Sequence, residues 1–161
     1  MTAYLIYSLL LGIGATVVMD LWAMILRYGF GIKGLDYAFV GRWVLHMGRG
    51  TFRHASIAAA TPMPFERPLG WVVHYGTGVL FAAVPACAVG PEWMKAPTPL
   101  PALAVGIGSI IAPFFIMQPA FGFGFAASRT PAPWKARLKS LVTHTVFGMG
   151  LYLTALLLAT F

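Results

Sequence analysis

Residues 4–26 read YLIYSLLLGIGATVVMDLWAMIL, twenty-three positions with a single charged side chain, Asp20. A run of that length and apolarity is long enough to cross the roughly 30 Å hydrocarbon core of a bilayer as a helix. No water reaches backbone N–H and C=O groups there, so a helix that bonds internally is the expected form. Three further stretches behave alike, from Gly70 to Val89, from Leu100 to Ala120 and from Leu138 to Thr160. Over all 161 residues, 59% are hydrophobic and 9% charged, and the mean hydropathy is +0.80. An average soluble domain is roughly 25% charged. So few charges cannot coat a water-facing surface, which excludes a soluble globular enzyme. The same apolarity excludes intrinsic disorder. Cys87 is alone, so no internal disulfide or thiol cluster is available. The expected fold is an all-α membrane protein in which residues 1–161 form one membrane domain with four transmembrane helices. The first run is expected to be a permanent span, because no Lys or Arg precedes it and no small-x-small cleavage site follows a short apolar core.

The basic residues then orient the spans. Arg27, Lys33, Arg42, Arg49, Arg53 and Arg67 lie between the first and second, and Arg129, Lys135, Arg137 and Lys139 between the third and fourth. The remaining connection holds only Lys95. Ten of eleven basic residues thus share one side, which the positive-inside rule makes cytoplasmic, and both termini are expected in the periplasm. The net charge of +7 follows from this topology. It favours a lipid bilayer as partner and not a nucleic acid, for which no separate basic module exists.

The two halves resemble each other. Thr61-Pro62-Met63-Pro64-Phe65-Glu66 matches Thr130-Pro131-Ala132-Pro133-Trp134-Lys135. With one residue inserted, Arg67 matches Arg137, Gly70 matches Ser140, His74 matches His144 and Gly78 matches Gly148. Each half carries two spans, so the expectation is two parallel two-helix repeats, about 4–89 and 98–161, related by an axis along the membrane normal. The paired prolines fix an extended approach to each following helix. Arg67 and Arg137, at matching positions, are candidates to hold an anionic lipid or substrate, with topological anchoring as the competing role.

The first connection is longer by about residues 33–56. Within it Phe39, Val40, Trp43, Val44 and Met47 share one helical face, and Arg42, His46 and Arg49 another. This predicts a short amphipathic cytoplasmic helix, either lying at the membrane interface or capping the bundle. Small residues recur at helical spacing: Gly12 and Thr16 before Asp20; Gly70, Gly78, Ala82 and Ala86 with His74; Ser140 and Gly148 with His144. Such faces let membrane helices approach closely. Pro113 and Pro119 predict a kink in the third span near Gln118.

Counted along the helices, Asp20, His74, Gln118 and His144 fall at similar depths in the cytoplasmic half, within one or two turns at 1.5 Å per residue. Ionisable groups inside a membrane are costly, so this buried polar layer is the place to look for function. Three roles fit it. A hydrogen-bonded Asp–His network would lock the bundle. A proton-coupled or polar-solute site would use an imidazole that titrates near neutral pH. A cofactor site would use Asp20, His74 and His144 as ligands to a metal such as zinc or iron, or the two histidines as axial ligands of a non-covalent haem. His46 and His54, on the connection, are expected to be solvated or to face headgroups. The motifs of α/β-hydrolases, zinc metalloproteases, P-loop NTPases and dinucleotide-binding folds are absent.

The stretch Gly12-Ile13-Gly14-Ala15-Thr16-Val17-Val18-Met19-Asp20-Leu21-Trp22 resembles a family of small bacterial inner-membrane proteins known only as a domain of unknown function. Leu35-Asp36-Tyr37 with Val40-Gly41-Arg42-Trp43, Phe52-Arg53-His54 with Ser56-Ile57-Ala58-Ala59, and Met117-Gln118-Pro119-Ala120 look like the same family. So do Ala126-Ala127-Ser128-Arg129-Thr130-Pro131 and the surroundings of His144 and Gly148. The resemblance covers nearly the whole chain and implies a multi-pass bacterial membrane protein, without a reaction. The leading functional expectation is a small transport or proton-linked protein, working as a homo-oligomer because four spans make a narrow bundle. A membrane cofactor protein or enzyme, and an accessory subunit of a larger complex, are the alternatives.

Overall fold

The computed structural model describes residues 2–90 and 92–160, with Thr2, Ala3 and Ala86 as backbone only. The expected place of Ala86 on a packed face therefore lies outside the described residues. Those residues form helices and loops, with no strand among them. In chain order they are α1 (Thr2–Phe30), α2 (Tyr37–Met47), α3 (Glu66–Val89), α4 (Glu92–Lys95), α5 (Pro99–Gly108), a π turn (Pro113–Met117), α6 (Gln118–Ala120), a 3-10 turn (Phe125–Ala127) and α7 (Pro133–Leu158). Four helical stretches are long and apolar enough to cross a membrane: Tyr4–Phe30, Glu66–Val89, Pro99–Ala120 and Pro133–Leu158. The all-α fold with four such helices is the one expected. Two of them start earlier than their apolar runs. Glu66 opens α3 while its carboxylate accepts the Met63 N–H at 2.8 Å. Pro133 opens α7, at a position where its missing N–H costs nothing.

The chain separates into two compact units. A span unit takes Met1–Gly34, Tyr75–Ser109 and Leu141–Phe161, and a loop unit takes Leu35–His74 and Ile110–Ser140.

The span unit packs on small residues. Its core joins Leu11 and Ala15 of α1, Ala82 of α3, Trp93 of α4, Ala102 of α5, and Phe147, Leu151 and Ala155 of α7. A methyl group added at Gly12 would strike the Val79 backbone, and one at Gly106 the backbone of Gly148. Gly78 sits against the Thr16 hydroxyl. The small-residue faces through Gly12, Thr16, Gly78 and Gly148 are thus contact faces, where helices meet backbone to backbone. The opposite faces stay apolar and open, with Leu80 68% and Leu100 76% exposed, as a lipid-facing surface requires.

The loop unit is built around α2. Asp36 caps this helix, its carboxylate accepting the Ala38 N–H at 3.0 Å. Glycines let α2 dock on the start of α3: a methyl group at Gly41 would meet the Glu66 carbonyl, and one at Gly70 the Tyr37 carbonyl. Val40, Ile57, Ala120 and Phe121 form the core, with Trp43 edge-on to Phe121 at 5.7 Å. The helix is present where periodicity predicts it, and its basic face divides, with Arg49 exposed and Arg42 buried. Arg42 is 6% exposed, and no residue of α2 is exposed.

The third span shows how its prolines act. α5 ends at Gly108. Pro113 has no N–H to offer the Ser109 carbonyl, so the regular ladder stops there. The next turn widens, and the Gln118 N–H reaches back five residues to the Pro113 carbonyl. A π turn is a common way for a membrane helix to absorb such a break.

Candidate functional site

Of the four residues expected in one polar layer, Asp20 and His144 belong to the span unit, His74 and Gln118 to the loop unit. In the span unit, Asp20 on α1 accepts a hydrogen bond from the Tyr75 hydroxyl on α3 at 2.9 Å. His144 on α7 meets the Ser109 hydroxyl, just past the end of α5, with Nδ1 and Oγ 2.7 Å apart. Ser109 is 2% exposed and its hydroxyl also lies 2.6 Å from the Gly106 carbonyl. A carbonyl only accepts, so the arrangement that satisfies every group runs His144 Nδ1–H to Ser109 Oγ and Ser109 O–H to Gly106 O. Assigned in this way from the network, the neutral ring keeps its Nε2 lone pair for another donor. Ser109 was not singled out by sequence patterning. The available signal was its position four residues before Pro113, where the helix must open.

In the loop unit, His74 is 9% exposed and stacks on the Tyr37 ring, centroids 4.1 Å apart and planes at 23°. Trp71 stands edge-on at 5.8 Å. Gln118 is 7% exposed, and its Oε1 has no hydrogen-bond partner among the described residues. A buried acceptor left unpaired costs about 1–3 kcal/mol. Among the described residues no three His, Cys, Asp or Glu side chains gather to hold a metal ion. Of the expected metal set, Asp20 and His144 belong to the span unit and His74 to the loop unit.

Two arrangements in the loop unit escaped the sequence. Arg42, placed by periodicity on the basic face of α2, grips Glu66 with two parallel bonds of 2.8 Å, from Nε and from Nη2. Its Nη1 donates to the carbonyls of Ile57 and Ala60, each at 3.0 Å. The carboxylate beside it pushes the Arg42 guanidinium still further up from its ordinary pKa. This staple ties α2 to the loop before α3. His46 and His54, expected to be solvated or to face headgroups, are half-buried and bonded to each other, Nδ1 to Nε2 at 2.8 Å. His46 Nε2 lies 3.0 Å from the Thr61 carbonyl. That carbonyl requires His46 Nε2–H, so in the neutral pair His46 Nδ1 accepts from His54 Nε2–H, an assignment made from the network. His54 Nδ1 is then a bare acceptor, buried and without a partner among the described residues. Spacing could not have joined residues 46 and 54, since a loop intervenes.

The paired arginines are both engaged. Arg67 lies 3.9 Å from Asp36 in an open pair, the two side chains 72% and 49% exposed. Arg137 Nε donates to the Ala126 carbonyl at 2.8 Å, bracing a loop in which Ala126 and Ala127 have positive φ.

These observations define an all-helical protein with four helices long and apolar enough to cross a membrane, and with Asp20, His74 and His144 on three of them. The chain belongs to the family described as Protein of unknown function (DUF2938), whose model matches residues 9–158. No curated protein and no solved structure is significantly similar to it.

Proposed function

We propose that the chain is a multi-pass protein of the bacterial inner membrane that couples proton movement to passage of a small polar solute. The observation that carries the proposal is that Asp20 and His144, ionisable groups on membrane-length helices, are each held by a hydroxyl, Tyr75 and Ser109. A hydroxyl donates and accepts, so it can pass a proton to or from the group it holds. Charge inside a membrane is expensive and is retained where ions or protons move. Asp20 and His144 carry the proton in this scheme, and Tyr75 and Ser109 position them. Ten of eleven basic residues on two connections favour termini in the periplasm. The matching halves favour a duplicated two-helix unit, and the narrow bundle favours a homo-oligomer.

The test is proton uptake into liposomes holding the purified protein and a pH-sensitive dye, under an imposed potential. Wild type is expected to acidify the lumen, Asp20→Asn and His144→Ala to abolish uptake, and Ser109→Ala to slow it. Wild-type vesicles no faster than empty ones sink the proposal. Orientation has its own check: Cys87, exposed near the end of α3, should react with a membrane-impermeant thiol reagent from the periplasmic side. Labelling from the cytoplasmic side alone would reverse the topology.

A further inference from the structure

We infer that the loop unit carries a binding site for a phosphate-bearing anion, in a cleft of about 400 Å³ where the segment around Arg53 meets the loop between α6 and α7. Arg53 and Arg129 both line it, and no acidic side chain does. Neither guanidinium is in an ion pair or hydrogen bond with another of the described residues, and both side chains are exposed. Two unpaired cations facing one concavity repel each other, and an anion between them relieves that repulsion. Guanidinium groups match phosphate oxygens with paired N–H donors, which makes arginine the preferred side chain for this chemistry.

The wall between the two arginines is built for close approach. Gly122 and Gly124 have φ of +89° and +73°. A methyl group at Gly122 would strike the Ala55 carbonyl, and one at Gly124 the Ser128 hydroxyl. Gly122, Gly124, Ala55 and Ser128 all line the cleft. The loop is fastened at several points: His54 N–H donates to Ala120 O at 2.8 Å, Ile57 N–H to Phe121 O at 3.1 Å and Arg129 N–H to Phe123 O at 2.8 Å. Its form therefore does not depend on a ligand. His54 also lines the cleft, and its Nδ1 is the buried acceptor that the protein leaves without a donor. Phe125, 57% exposed and 6.4 Å from Phe115, adds an apolar edge to the cationic cleft.

A lipid headgroup and a soluble phosphate ester present the same chemistry, and the experiment separates them. The full-length protein in a neutral detergent is titrated with short-chain phosphatidylglycerol, with phosphatidylcholine of the same chain length, and with glycerol 3-phosphate, and the melting temperature is followed. Stabilisation by phosphatidylglycerol alone identifies a lipid site, and stabilisation by glycerol 3-phosphate as well identifies a soluble ester. In either case Arg53→Gln and Arg129→Gln should each weaken apparent affinity about tenfold, as the loss of one charge-assisted contact implies. Because both side chains are exposed and unpartnered, the variants should melt like wild type before ligand is added. Arg49→Gln, an exposed arginine outside the cleft, should keep the full response. No stabilisation by either anion, equal stabilisation by phosphatidylcholine, or an undiminished response in Arg53→Gln/Arg129→Gln would overturn the site.

Discussion

The two units spend their few polar groups differently. In the span unit polar side chains are sparse, and the pairs Asp20–Tyr75 and Ser109–His144 sit among helices that touch through glycine and alanine. In the loop unit they cross-link: one arginine makes bonds to Glu66, Ile57 and Ala60, and two histidines bond to each other and to Thr61. A membrane helix satisfies its own backbone, so its polar side chains are free for another purpose. An irregular segment does not, and the loop unit uses side chains to satisfy and fix its main chain. Polar substitutions should therefore cost stability in the loop unit, and activity in the span unit.

The largest expected effect is at the staple. Arg42→Ala leaves Glu66 without the guanidinium that grips it and should destabilise by about 3–5 kcal/mol, the usual cost of breaking a buried pair. Reversible unfolding in mixed micelles measures it, and a loss below about 1 kcal/mol would erase the contrast between the units. Next come the close contacts. Gly41→Ala in the loop unit and Gly106→Ala in the span unit each push a methyl group into a neighbouring backbone. Each should cost about 1–3 kcal/mol by overpacking. Equal losses would show that both units are equally well packed and differ only in polarity. His54→Ala should cost about 1 kcal/mol, the worth of one hydrogen bond, read as a drop in melting temperature. Smallest of all, Tyr75→Phe and Ser109→Ala should each cost about 0.6 kcal/mol, as single hydrogen bonds between membrane helices do. Their proton uptake should nonetheless fall several-fold. A large stability loss with uptake intact would make those pairs structural.

The four spans were legible because length and apolarity suffice for them, and Gly12, Thr16, Gly78 and Gly148 announced their contact faces by spacing alone. The surroundings of α2 were not legible. Periodicity groups Arg42 and His46 on one face but says nothing of what covers it, and Glu66, the group that neutralises Arg42, lies twenty-four residues away. The polar layer was legible as residues and depths, not as bonds. Ser109 and His144 are thirty-five residues apart, on different helical stretches, and spacing along the chain cannot join them.

The π turn from Pro113 to Met117 also has a meaning for the length of the chain. A π turn spends one more residue than an α turn, so this span contains, in effect, a one-residue insertion. Deleting one position there would take up that insertion, and the residues beyond it would keep the faces they now present. Gln118 would stay buried, its number lowered by one. A relative one residue shorter in this segment should then carry its amide at the same place on the helix.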